Sequence, residues 1–259
     1  MNLPILNYHG LESRPEEYEW LDEERPYVLS LLRFSSQMEE LLRRSYRTLG
    51  LADLKEWQSG KGKEKPVMIT FDDGLKSHGD HAAVLLQKKN MKAIFFIPVS
   101  LVGQKGHMGW DELRLLVRHG FDIGSHGMNH VALTGLSERE VKEELVKSKK
   151  TLEDKVGVPI KSFSIPRGYF TDEMRVLARD AGYEFLFTSS FDVNLPGSDL
   201  YALKRMVVKR ETSDKQFVDC IEGNLGFRKH WEQAKEKMRA SVPPAFYDAL
   251  AATKRKVRG

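Results

Sequence analysis

A single cysteine, Cys220, rules out an intrachain disulfide in this 259-residue chain, and nothing argues for an oxidising compartment. No apolar run approaches the ~18 residues that a membrane-spanning helix needs. The opening Met1-Asn2-Leu3-Pro4-Ile5-Leu6 has no basic segment followed by a long apolar core. No secretory signal is therefore legible, and the expected location is the cytoplasm. Internal repeats and low-complexity tracts are missing too. Charge of one sign is scarce: 41 basic against 37 acidic residues leave a net charge of +4. Part of that excess lies in Lys254-Arg255-Lys256-Val257-Arg258, which reads as a solvated terminus and not as a nucleic-acid or membrane patch.

What remains is the composition of a soluble globular protein, with 41% hydrophobic and 30% charged residues. Apolar runs of β type alternate with amphipathic stretches. Candidate strands are Pro4–His9, Val67–Phe71, Ala93–Pro98, Phe121–Ser125, Ser162–Pro166, Glu184–Thr188 and Leu203–Val208. Helical patterns fall at about 35–47, 79–90, 110–119, 137–156 and 171–182. The fourth is the clearest. Ser137-Glu138-Arg139-Glu140 is a capping box, and Val141, Leu145, Ser148, Leu152 and Val156 share one face. Strands separated by helices imply βαβ units and a parallel sheet. The expected fold class is α/β: a distorted (β/α) barrel of seven parallel strands, with a doubly wound sheet as the alternative. The expected domain spans residues 1–213, with an irregular insertion at about 12–66. A helical extension at 214–259 is expected to pack on it, broken at Pro243-Pro244.

Both architectures put active residues at the carboxyl ends of strands. His9, Asp72, Asp73, His126 and Pro166 each fall at or just past such an end. Val67-Met68-Ile69-Thr70-Phe71-Asp72-Asp73-Gly74 ends an apolar strand in two adjacent carboxylates, which repel unless a cation or proton separates their roles. In Ser125-His126-Gly127-Met128-Asn129-His130, two histidines four apart can face one point from a helix or a turn. With one carboxylate they make a two-His, one-Asp set with open positions, suited to Zn2+ and also to Co2+, Ni2+ or Fe2+.

These segments closely resemble the first two motifs of the polysaccharide deacetylase family (carbohydrate esterase family 4, the NodB-homology domain). The resemblance runs from about residue 3 to 210 and takes in Asn7-Tyr8-His9-Gly10 and Trp110-Asp111-Glu112-Leu113. It implies a distorted (β/α) barrel, a divalent metal held by Asp73, His126 and His130, and Asp72 as the base that deprotonates a metal-bound water. The implied reaction removes acetyl from an N-acetylated amino sugar. The partner it implies is a carbohydrate substrate; charge and hydropathy add the expectation of no nucleic acid and no membrane span.

The third motif departs from the family pattern of an Arg followed by Pro-Tyr-Gly. In Phe163-Ser164-Ile165-Pro166-Arg167-Gly168-Tyr169, Ser164 stands where many members have the arginine, and Arg167 replaces the tyrosine. The Arg167 backbone N–H still supplies the expected oxyanion donor. Arg205, across the barrel, could replace the missing arginine beside the base, or Arg167 could meet an anionic group of the substrate. Pro166, Arg167, Tyr169 and Trp110 are candidate substrate residues, Trp110 as a stacking floor or simply as a core aromatic at a helix start. No histidine suited to general acid follows residue 200, so the resemblance points to His9 for that role. His78 could line the rim, His81 reads as a helix opener, and His107 and His119 as loop and helix-end residues. Two alternatives stay open: the same chemistry on another amide or an O-acetyl ester, and a non-catalytic carbohydrate-binding descendant.

Overall fold

The computed structural model describes residues 1–60, 62, 64–168 and 170–240. Seven parallel strands form its sheet: β1 (Ile5–Tyr8), β2 (Lys65–Phe71), β3 (Ile94–Ile97), β4 (Asp122–Ser125), β5 (Ser162–Ser164), β6 (Phe185–Phe187) and β7 (Met206–Val207). Their spatial order is β7-β1-β2-β3-β4-β5-β6. The register is tight at the centre, with Tyr8 beside Phe71 and Ile97 beside Ser125. Closure comes from the last segment. Leu203 bridges Phe187 of β6, and three residues later Met206 pairs with Leu6 of β1. The sheet thus curls into a distorted barrel, and the doubly wound alternative is excluded.

Strand alternation divides the buried side chains into two sets. Leu6, Ile69, Phe71, Phe95, Phe163, Leu186 and Met206 face outward and join one apolar cluster with the covering helices. Ile5, Met68, Ile94, Phe96, Phe185, Phe187 and Leu203 form a second, inner cluster. Continuing the inward parity toward the carboxyl ends reaches Asn7, Thr70, Asp72 and Ser164, which are polar and buried. The barrel is therefore filled by apolar residues below and by a polar layer above.

The covering helices include α1 (Leu31–Arg43), α2 (Leu54–Gln58), α3 (Val84–Lys88), α4 (Trp110–Arg118), α5 (Glu138–Val156) and α6 (Asp172–Asp180). α5 starts at Ser137, whose hydroxyl accepts from Glu140 N while the Glu140 carboxylate accepts from Ser137 N, and it ends at Gly157 in the left-handed region. Residues 12–66 are more regular than their charge-rich composition suggests. They contain α1, α2 and a short strand, Tyr46–Thr48, which pairs with the start of β2. α1 begins at Leu31 and not near residue 35, because Ser30 caps it by accepting from Arg33 N. The expected helix at 79–90 opens instead with a π-helical stretch, His78–Ala83. Toward the C-terminus lie α7 (Asp214–Glu222), which buries Cys220, and α8 (Gly226–Ala240). Pro243-Pro244 and the basic Lys254–Arg258 tail lie outside the described residues. Among the described residues, no helix is long and apolar enough to cross a membrane.

Candidate metal centre and active site

The polar layer is organised around Asp72. Arg205, fully buried, donates from Nη1 to Asp72 Oδ1 at 2.8 Å and from Nη2 to Oδ2 at 2.9 Å. Asn7 Nδ2 adds a bond to Oδ2 at 2.9 Å, and the Ser164 hydroxyl adds one to Oδ1 at 3.2 Å. Each carboxylate oxygen thus accepts two hydrogen bonds. Arg205 is itself fixed from behind: its Nε donates to Thr188 O at 2.9 Å, and its guanidinium lies 5.5 Å from the centre of the Phe96 ring. Burial pushes the Asp72 pKa up, but the charges of Arg205 and His126 and the Arg205 hydrogen bonds outweigh it and hold the carboxyl well below the usual range. The arginine absent from the third motif is thus supplied by the last strand segment, while Ser164 takes the vacated place and accepts from Arg205 Nη2 at 2.8 Å.

Asp73 faces elsewhere. Its φ of 77° breaks the strand alternation and turns its side chain to the rim. There its Oδ1 lies 3.1 Å from His130 Nε2 and 3.5 Å from His126 Nε2. Single ligand atoms of these three residues all lie within 4.8 Å of one another. His126 Nδ1 donates to Ser164 O at 2.8 Å, which turns its Nε2 toward Asp73. The position favours positive charge. Burial pushes the His130 pKa down, yet the carboxylate of Asp73 raises it overall. Asp73 in turn, although burial raises its pKa, is held well below the usual carboxylate range by His130 and by hydrogen bonds from both histidines. Two imidazoles and a carboxylate, one imidazole oriented by a backbone carbonyl, are the donor set a divalent ion requires. The residues fit such an ion. The histidine loop is a turn and not a helix, with Gly127 at φ 85° and His130 at φ 54°.

The remaining candidates surround this pair. His9 is half-buried at the end of β1, its ring 5.2 Å from that of Tyr27. Burial lowers its pKa overall, and the charges of Asp73 and Asp72 oppose that only in part. Pro166 is buried beside Gly127. Arg167 is exposed, with φ 61°, and its charge opposes protonation of His130. Gly168 follows at φ 75°, where a Cβ would sit 2.1 Å from Ser189 Oγ, so no other residue fits. Trp110 is half-buried at the start of α4 and packs on the core. Tyr169 lies outside the described residues.

His78 does not line the rim. It is fully buried beneath β1, its Nε2 donating to His9 O at 2.9 Å, and burial lowers its pKa to about 4. His81 lies within the π-helical stretch, bonded to Glu17 at 3.0 Å. His107 is half-buried in a rim loop tied to the Asp73-Gly74 turn by Met108 N donating to Gly74 O at 2.9 Å. Sequence reasoning missed Asn7 and the hydroxyl of Ser164 as partners of Asp72. Strand parity, carried one step past each apolar run, is the signal that could have found them.

The polysaccharide deacetylase family model matches residues 59–186. YxkH, a polysaccharide deacetylase homologue of Bacillus subtilis (strain 168), is 30% identical over 222 residues, covering 85% of this chain and 76% of that protein. The chain belongs to the polysaccharide deacetylase family. A poly-β-1,6-N-acetyl-D-glucosamine N-deacetylase of Staphylococcus aureus (strain MRSA252) is 25% identical over 226 residues, 82% of this chain and 74% of the relative. The crystal structure of a polysaccharide deacetylase from Bacillus cereus superposes with a TM-score of 0.74 at 25% identity, covering 85% of this chain and 69% of that one.

Proposed function

We propose that this protein is a metal-dependent N-deacetylase that removes acetyl from an N-acetylated amino sugar in a polysaccharide, oligosaccharide or glycoconjugate precursor. The observation that carries the reading is the division between two adjacent carboxylates: Asp73 converges with His126 and His130, while Asp72 stands ionised beside them on Arg205. A divalent ion held by Asp73, His126 and His130, most simply Zn2+, would acidify water and polarise the acetamide carbonyl. Asp72 takes up the proton of the attacking water. Arg205, Asn7 and Ser164 keep it ionised and aimed. The Arg167 backbone N–H donates to the developing oxyanion, and Pro166 fixes the turn that presents it. His9, just past the end of β1, gives a proton to the departing amine. Trp110 floors a sugar subsite by stacking.

The test is acetate release from chitooligosaccharides and from poly-β-1,6-N-acetylglucosamine, before and after chelation. Activity that is lost with the chelator and returns with Zn2+ or Co2+ supports the reading. Stoichiometric metal with no acetate from these substrates, nor from acetylated xylan, would leave a carbohydrate-binding protein instead.

A further inference from the structure

We infer that Glu144, on α5, is a positioning residue for the histidine loop, and this rests on the metal reading above. α5 turns Val141, Leu145, Leu152 and Val156 into the core, and Glu144 is buried among them at 6% exposure. Its neighbour Glu143 is solvent-facing and pairs with Lys147 at 2.6 Å. A carboxylate taken out of water costs free energy unless charges or hydrogen bonds compensate. Among the described residues, no Lys or Arg ion pair accompanies Glu144. Its partners lie in the loop between the two histidines. Oε2 accepts from Met128 N at 2.7 Å and Asn129 N at 3.0 Å, and Oε1 accepts from Asn129 Nδ2 at 2.5 Å.

The loop is gripped from its other side as well. Gly127 O and Met128 O accept from Val99 N at 3.1 Å and Ser100 N at 2.8 Å. Held between these clamps, the chain passes through two left-handed residues, Gly127 and His130. A non-glycine residue such as His130 stays there only when its surroundings compel it. Gly127 fits for the same reason, since a Cβ there would lie 3.1 Å from Glu144 Oε2. The two ligands differ in what holds them. His126 is pinned independently, its N donating to Ile97 O at 2.9 Å and its Nδ1 to Ser164 O at 2.8 Å. His130, at the far end, depends on the turn that Glu144 gathers. Loss of the carboxylate would therefore loosen His130, leaving His126 and the Asp72 layer in place.

The experiment is titration of the metal-free full chain with Co2+, followed by its visible spectrum, with Zn2+ competition for affinity. Glu144→Ala is expected to weaken affinity by about 10–100-fold, the range for residues that orient metal ligands. Glu144→Gln is expected to stay within about threefold, because its carbonyl still accepts both backbone N–H groups and Asn129 can turn its amide. A purely structural role would lower the melting temperature of the metal-free protein without separating these two variants in affinity. Should Glu144→Ala fail to fold, Asn129→Ala decides, with a loss expected of about threefold or more. Parent affinity in a folded Glu144→Ala, or equal losses in the Ala and Gln variants, would overturn the inference. A parent protein that binds no Co2+ or Zn2+ would instead overturn the metal reading beneath it.

Discussion

Asp72 and Asp73 are joined by one peptide bond and live in different surroundings. Asp72 ends a strand, points into the barrel and is 5% exposed, each oxygen bonded twice. Asp73 has left-handed backbone, points to the rim and is 24% exposed, with one oxygen shared between two imidazoles. One site is built on the strand scaffold and closed by tertiary hydrogen bonds. The other is built on loops and completed only by positive charge. Residue type does not distinguish the two carboxylates. Backbone direction and partners do.

Breaking the rim side should have the largest effect. Asp73→Ala removes the carboxylate from the three-residue set and should abolish Co2+ binding and acetate release together. Its melting temperature without metal should fall only modestly, by the cost of Ala in a left-handed backbone, because this partly exposed rim residue supports little of the core. Retained stoichiometric Co2+ would refute Asp73 as a ligand.

On the interior side, Arg205→Met strands a buried carboxylate and should cost about 3–5 kcal/mol in urea unfolding. Without the guanidinium, the strongest influence holding the Asp72 carboxyl low is gone, and burial shifts its pKa upward against the remaining charges of His126 and His9. The variant should therefore lose less stability than the parent as pH falls from neutral toward 4. Adding Asp72→Leu should recover most of the loss. Arg205→Lys keeps the charge but not the two-pronged contact and should fall between.

A smaller effect sharpens the comparison at the layer beneath. His78 has a folded pKa of about 4, depressed from about 6.5 by burial. The folded protein refuses a proton that the unfolded chain accepts, so this contribution is whole above pH 6.5 and is lost as pH falls toward 4. It amounts to roughly 3 kcal/mol over that window. His78→Gln keeps a donor for His9 O and does not titrate. Its stability should therefore decline less between pH 7 and 4.5, and equal slopes for the two proteins would contradict the assignment.

The barrel was legible because strands such as β1 and β2 are largely apolar runs of four and seven residues, and their carboxyl ends carried the site. Arg205 was legible as a substitute for the missing arginine only because its strand comes last and closes the barrel. Asn7, Glu144 and the burial of His78 were not legible. Each depends on a hydrogen bond between elements far apart in the chain, such as the 65 residues from Asn7 to Asp72, and such bonds leave no periodic trace. Glu144 is also masked by its neighbours, since Glu143-Glu144 in a charged helix reads as solvated surface. The start of α1 was misplaced because Ser30 was not taken as its cap.

The central claim is that adjacent carboxylates divide metal binding from proton transfer, and Asp72→Asn tests it most directly. Co2+ affinity and acetate release should be measured on the same preparation. The account predicts Co2+ binding within a few-fold of the parent, with acetate release reduced about 10²–10⁴-fold, the usual contribution of a general base. Loss of Co2+ binding in Asp72→Asn, or acetate release at the parent's rate, would contradict it.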